Sequence, residues 1–214
     1  MPIVEDDDDR YRFIKALYFL NDANHPLRWE RDVDALGSGL HFQRPDNWPG
    51  EREQYVRILS YCLQDNHHHL LLEEVQEGGI ANFMKSLSAS MTQAYNEKYD
   101  TEGTIFQGRP KKKIVETDEY LRLLYVYINI KNPFERYENG LKEAISNFED
   151  AFTAALNYPF SSLPDVMKKR KSPVTATDMF NDAFSSPDAF KSFARKQMRQ
   201  YEAFLQDVNA DQLE

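Results

Sequence analysis

Three consecutive histidines, His67, His68 and His69, stand between the turn-forming pair Asp65 and Asn66 and the leucines Leu70, Leu71 and Leu72. They are three of the five histidines in a chain of 214 residues. On an extended strand alternate side chains share a face, so His67 and His69 point one way and His68 the other. Two neutral imidazoles at i and i+2 can hold one cation between them, and imidazole is a common ligand for divalent metals. The same residues on a solvated strand edge would be an incidental cluster. The spacing by itself leaves both readings standing.

A second constellation is Tyr125 with Asn129, four residues apart and so on one face of a helix expected over residues 117–131. Leu121, Leu124 and Ile128 flank them on the apolar stripe, which turns Tyr125 toward the body of the protein. A core aromatic is the ordinary role for such a residue. A phenol beside a metal is also an oxygen nucleophile. Helical geometry favours Tyr125 for that part over Tyr127, which lies on another face, four residues from Lys131, a cation that would repel a metal.

The elements that must carry these residues are legible as α and β pieces. Residues 9–22 ("DRYRFIKALYFLND") show an apolar stripe with Asp8 or Asp9 as N-cap, a first helix. The acids before it favour a helix N-terminus and lack the glycine and spacing of a calcium loop. Residues 23–53 are rich in Gly, Pro, Asn and Asp and read as a loop excursion. Residues 55–63 and 67–74 read as two strands joined by the turn "QDN", a β-hairpin. Phe83, Leu87, Met91 and Tyr95 recur every four residues in a helix over 80–99. Residues 100–115 hold turn chemistry and a short β-like piece. Helix 117–131 opens on a Thr/Asp cap and stops at Pro133, and further helices are expected over 138–156 and 187–206.

Composition narrows the class. Apolar residues make up 41% and charged residues 29%, which suits one globular core, and no apolar run is long enough to span a membrane. The single cysteine, Cys62, excludes an internal disulfide and fits a reducing compartment, so a cytoplasmic protein is expected. The net charge of -9 counts against a polyphosphate partner, yet "RPKKK" at 109–113 and "KKRK" at 168–171 are concentrated basic patches.

Three ordered blocks of the sequence resemble those of the single-tyrosine HUH transposases, closest to the REP-associated tyrosine transposases and their insertion-sequence relatives. The first is Asn66, His67, His68, His69, Leu70, Leu71. The second is Tyr95 and Asn96 followed by Gly103, Phe106, Gln107, Gly108 and Arg109. The third is Tyr125, Val126, Tyr127, Ile128, Asn129, and "FSSLPDV" at 160–166 resembles a Ser-Ser segment of many members. The likeness spans most of residues 2–170. The chain departs from the pattern where His68 replaces an aliphatic residue. It departs again where the proline expected after Asn129 is Ile130, with "KNP" displaced downstream. A different alignment makes Tyr127 the nucleophile. Members also begin with a strand ahead of "PIVEDDDDR", so the first strand is expected to be missing here.

The resemblance implies an α+β fold of HUH endonuclease type: a ferredoxin-like antiparallel sheet with packed helices and a helical C-terminal extension. It implies a catalytic domain over 1–165, with 166–214 as basic linker and helical tail. The implied activity is cleavage and rejoining of single-stranded or hairpin DNA through a 5′-phosphotyrosine at Tyr125, with Tyr127 the second choice. His67, His69 and Asn129 would hold Mg²⁺ or Mn²⁺. DNA would run along Arg109, Lys111, Lys112 and Lys113, and along Lys168, Lys169, Arg170 and Lys171. Members that exchange tyrosine helices work as homodimers, and those that act in cis work as monomers. The alternative is a truncated or domesticated relative that binds hairpin DNA without cutting it.

Overall fold

A computed structural model describes residues 2–34, 40, 42–108 and 110–211; Arg109, the first residue of the expected DNA path, lies outside them. The element order is α1 (Asp7–Phe19), α2 (Trp29–Asp34), β1 (Val56–Leu63), β2 (His68–Glu74), α3 (Gly79–Tyr99) and α4 (Asp118–Val126). A π-helix (Tyr127–Lys131) follows, then α5 (Asn132–Phe134), α6 (Gly140–Ser146), α7 (Phe148–Leu156), α8 (Leu163–Val166), α9 (Asp178–Ala183) and α10 (Pro187–Asp211). The class is α+β, with β1 and β2 paired as a two-stranded antiparallel sheet. No helix among the described residues is long and apolar enough to cross a membrane.

The chain forms two compact units that interleave in sequence rather than dividing at residue 165. The first is Met1–Leu59, Leu63–Lys113 and Ser172–Ala176; the second is Ser60–Cys62, Ile114–Lys171 and Thr177–Glu214.

In the first unit Asp6, not Asp8 or Asp9, caps α1. Its side chain accepts from Asp9 N, and the Asp9 carboxylate returns the bond to the Asp6 backbone, a capping box. Every acid in the run can cap. Lys98 near the end of α3 ties both members of the box, its Nζ 2.8 and 2.7 Å from the Asp6 oxygens and 2.7 Å from Asp9 Oδ1. Phe13, Ile14 and Leu17 of α1 are fully buried. Asn21 exchanges two hydrogen bonds with the Val56 backbone, donating to its carbonyl at 2.7 Å and accepting from its N–H at 3.0 Å, and so sets where β1 begins. The excursion over 23–53 contains α2, anchored by Trp29, which stacks on Phe19 with ring centroids 6.0 Å apart. The segment before α1 is not a strand; Ile3 N and Val4 N both donate to the Asp65 carbonyl at the hairpin turn. Thr175 pairs with Ile58 as an isolated parallel bridge. Among the described residues of 100–115 there is no strand, contrary to the β-like reading.

In the second unit Thr117 caps α4 by accepting from Tyr120 N, as its sequence requires. The single expected helix over 138–156 is two, α6 and α7, because Asn147 leaves the helical region at φ -107°, ψ 47°. Ser161 bridges Cys62, and Leu163–Val166 forms a turn of helix. Phe190, Ala194 and Met198 are buried at four-residue intervals along α10, so this tail docks rather than trails.

Candidate active site

The histidine cluster belongs to the first unit. Gln64 N donates to His67 O at 2.8 Å and closes the hairpin. Arg10 holds the turn from outside through Asp65 Oδ1 at 2.9 Å. Beyond the turn the side chains alternate as strand geometry requires. His68 turns inward against Phe13 and Phe106, with ring centroids at 5.2 and 5.8 Å. Burial pushes its imidazole down to about 4, and the neighbouring His69 and His67 add to the shift, so His68 is neutral at ordinary pH. It takes the place of an apolar residue. His67 and His69 pair on the other side, ring centroids 5.0 Å apart and planes at 87°. His67 Nδ1 lies 2.6 Å from Asn66 Oδ1. With the proton on Nδ1 this contact leaves Nε2 as the ligating atom, the orienting role that metal-bound imidazoles commonly receive.

Tyr125 and Tyr127 belong to the second unit. Tyr125 is 0% exposed, its ring edge-on to Phe180 at 5.2 Å and near Phe184 at 6.1 Å. It faces the body of the protein, as its stripe indicates, and is enclosed there. Tyr127 is 39% exposed, with Lys131 Nζ 5.0 Å from its ring centroid and 2.6 Å from Glu135 Oε1. Burial works against the Lys131 charge, but the bond to Glu135 outweighs it and holds the ammonium above its ordinary pKa. Tyr127 and Lys131 lie on the π-helix, where each turn takes one residue more than an α-turn.

Asn129 is fully buried and enclosed by hydrogen bonds within the second unit. Its Nδ2 donates to Ser60 Oγ at 2.8 Å and to the Tyr125 carbonyl at 3.0 Å, while its Oδ1 accepts from Ser162 Oγ at 2.8 Å. Ser60 and Ser162 are themselves 2.9 Å apart, and Tyr61 N donates to Ser162 Oγ. Asn129 as a metal ligand therefore does not fit: its amide already ties strand residue Ser60 to the Ser161–Ser162 segment. The sequence offered one signal for this. A buried amide must find partners, and the Ser-Ser segment supplies one.

The two basic patches fare differently. Lys111, Lys112 and Lys113 are exposed, as are Lys168, Lys169 and Lys171. Arg170 is not part of a DNA-facing row, because its side chain is only 12% exposed. Its guanidinium grips both Asp165 oxygens at 2.8 and 2.6 Å, the Pro159 and Ser161 carbonyls at 2.6 Å each, and the Tyr61 hydroxyl at 3.0 Å. Burial pushes the Tyr61 phenol above its ordinary pKa.

The donor set defines what a metal could use. Among the described residues no group of three or more His, Cys, Asp and Glu is arranged around one point. His67 and His69 fit as two ligands, with Asn66 orienting one of them. Mn²⁺ suits two imidazoles better than Mg²⁺ on affinity order. Searches for similar proteins return no matching family model, no matching curated protein and no matching solved structure.

Proposed function

We propose that this chain is a metal-dependent strand-cleaving and rejoining enzyme of single-stranded DNA, of the HUH type, with Tyr127 as nucleophile. The ferredoxin-like arrangement belongs to the same proposal. The observation that carries it is the pair of outer imidazoles, His67 and His69, with ring centroids 5.0 Å apart and Asn66 Oδ1 2.6 Å from His67 Nδ1.

Two observations support Tyr127 over Tyr125. The Tyr125 hydroxyl lies inside an aromatic core where no phosphodiester can reach it, whereas Tyr127 is open to solvent. The π-helix also accounts for the displaced "KNP": one extra residue enters the turn, so a block that begins at Tyr127 reaches Asn132 and Pro133 one position late. In the cleavage step the phenolic oxygen of Tyr127 bonds to phosphorus and the bond from phosphorus to the 3′-oxygen breaks. The phenolic proton passes, directly or through water, to the departing 3′-oxygen. The product is a 5′-phosphotyrosine and a free 3′-hydroxyl, and reversal on another end reseals the strand without ATP. Lys131, paired with Glu135 Oε1 at 2.6 Å, lies beside the ring. A divalent ion on His67 and His69 would supply Lewis-acid chemistry. Lys111, Lys112 and Lys113, with Lys168, Lys169 and Lys171, are the exposed cations for the backbone.

One specific observation favours a second reading, a non-cutting hairpin-DNA binder: Asn129, the expected third ligand, is locked into the core. The deciding experiment incubates the protein with a single-stranded hairpin oligonucleotide and Mn²⁺ and resolves the products on a denaturing gel. An adduct that EDTA, His67→Ala or Tyr127→Phe abolishes supports the enzyme. Salt-sensitive binding with no adduct supports the binder.

A further inference from the structure

Away from these residues, a cleft of about 250 Å³ opens in the second unit where α5 and the end of α7 approach. Pro133, Arg136, Tyr137, Ala154, Asn157 and Tyr158 line it. The Arg136 guanidinium carbon lies 4.8 Å from the centre of the Tyr158 ring. That ring is in turn braced edge-on by buried Phe160 at 5.6 Å, which sets its plane. Ala151, Ala154 and Ala155 of α7, spaced by three and one, leave a wall without protruding side chains. The volume falls below the roughly 300–1,000 Å³ of drug-sized sites, so the cleft has room for one heterocyclic ring system rather than an extended ligand.

The chemistry of the lining chooses among small flat ligands. An arginine stacked on a phenol offers a charged plane that can lie against an aromatic base and meet an anion at its edge. Asn157, exposed at the rim, presents both a donor and an acceptor, the pair that reads a base edge. Proteins that hold single strands combine such stacking planes with cations for the backbone. We infer that this cleft receives one unstacked base of the DNA strand, with Arg136 engaging the adjoining phosphate. The inference rests on the proposed function for the identity of the strand and adds a place where a base, rather than the backbone, is held.

The test uses the full chain in EDTA, so that nothing is cut. Fluorescence anisotropy follows its binding to a single-stranded 12-mer and to the same strand built from abasic sites. The intact strand is expected to bind about tenfold tighter, the range that one stacked base supplies. Ala154→Leu, which fills the cleft with a good helix former, should remove most of that difference, and Arg136→Ala should weaken both strands. Equal affinity for intact and abasic strands, or an Ala154→Leu protein of native circular dichroism that keeps the preference, overturns the inference. Failure to bind either strand overturns it as well. Adduct formation at Tyr127 is read separately in Mn²⁺, so loss of the adduct with the base preference intact refutes the nuclease and not the cleft.

Discussion

Replacing Asn129 with alanine separates a structural amide from a metal ligand. The substitution deletes three hydrogen bonds inside a fully buried site: those to Ser60 Oγ and the Tyr125 carbonyl, and the one accepted from Ser162 Oγ. At about 1 kcal/mol net for each, the second unit should lose about 3 kcal/mol. With a urea dependence of about 1–3 kcal/mol per molar, the midpoint should fall by about 1–3 M. The assay is urea unfolding followed by far-ultraviolet circular dichroism, with EDTA present throughout. Hydrogen exchange over residues 120–131 localises the loss. Asn129→Asp keeps the shape but cannot donate to Ser60 or Tyr125, so it should be destabilised as well. If Asn129→Ala instead unfolds within about 0.5 kcal/mol of the parent and loses only Mn²⁺ affinity, Asn129 is a ligand and the hydrogen-bond account is wrong.

The His68 pKa is about 4 in the folded chain against 6.5 for a free imidazole, so the unfolded chain binds the proton first as pH falls. Stability is therefore full above 6.5 and lost from there down to about 4. The loss between pH 7.5 and 5 should be about 2 kcal/mol in metal-free urea titrations, and His68→Leu should abolish that slope. Gly79→Ala should lower stability by about 1–3 kcal/mol in the same assay, because an added Cβ would overlap the Tyr55 carbonyl oxygen, which accepts from Val75 N at 3.0 Å. Arg170→Met should destabilise by about 3–5 kcal/mol by stranding buried Asp165. The triple change of Lys168, Lys169 and Lys171 to alanine should leave the unfolding midpoint in place and flatten the salt dependence of strand binding.

The parts of the fold readable in the sequence were those set by local chemistry. The hairpin announces itself through two apolar runs around "QDN", and the division of His67 and His69 from His68 follows from the two-residue strand period. The Thr/Asp start of α4 is also local, and Thr117 is the residue that caps it. Asp6 had rivals at every following position, so the acidic run alone did not single it out. The π-helix was invisible because residues 124–130 are apolar almost all round, which erases the stripe that would reveal a change of helical period. Arg170 looked like one of four equivalent cations; only the fold brings Asp165, Tyr61 and two carbonyls to it at once. Tyr125 illustrates the limit of facial arguments. Its stripe pointed inward, as expected, but periodicity carries no information on whether inward means a cleft or an aromatic core. Phe180 and Phe184 close that question from a segment more than fifty residues downstream.

The most direct measurement is tandem mass spectrometry of the protein after reaction with a hairpin-bearing single strand and Mn²⁺, followed by nuclease trimming and proteolysis. A nucleotide phosphate is expected on the peptide that carries residues 123–131, with fragment ions assigning it to Tyr127. The Tyr125→Phe protein should give the same modified peptide. A phosphate mapped to Tyr125, or an unmodified peptide from a protein that has demonstrably cut its strand, contradicts the assignment.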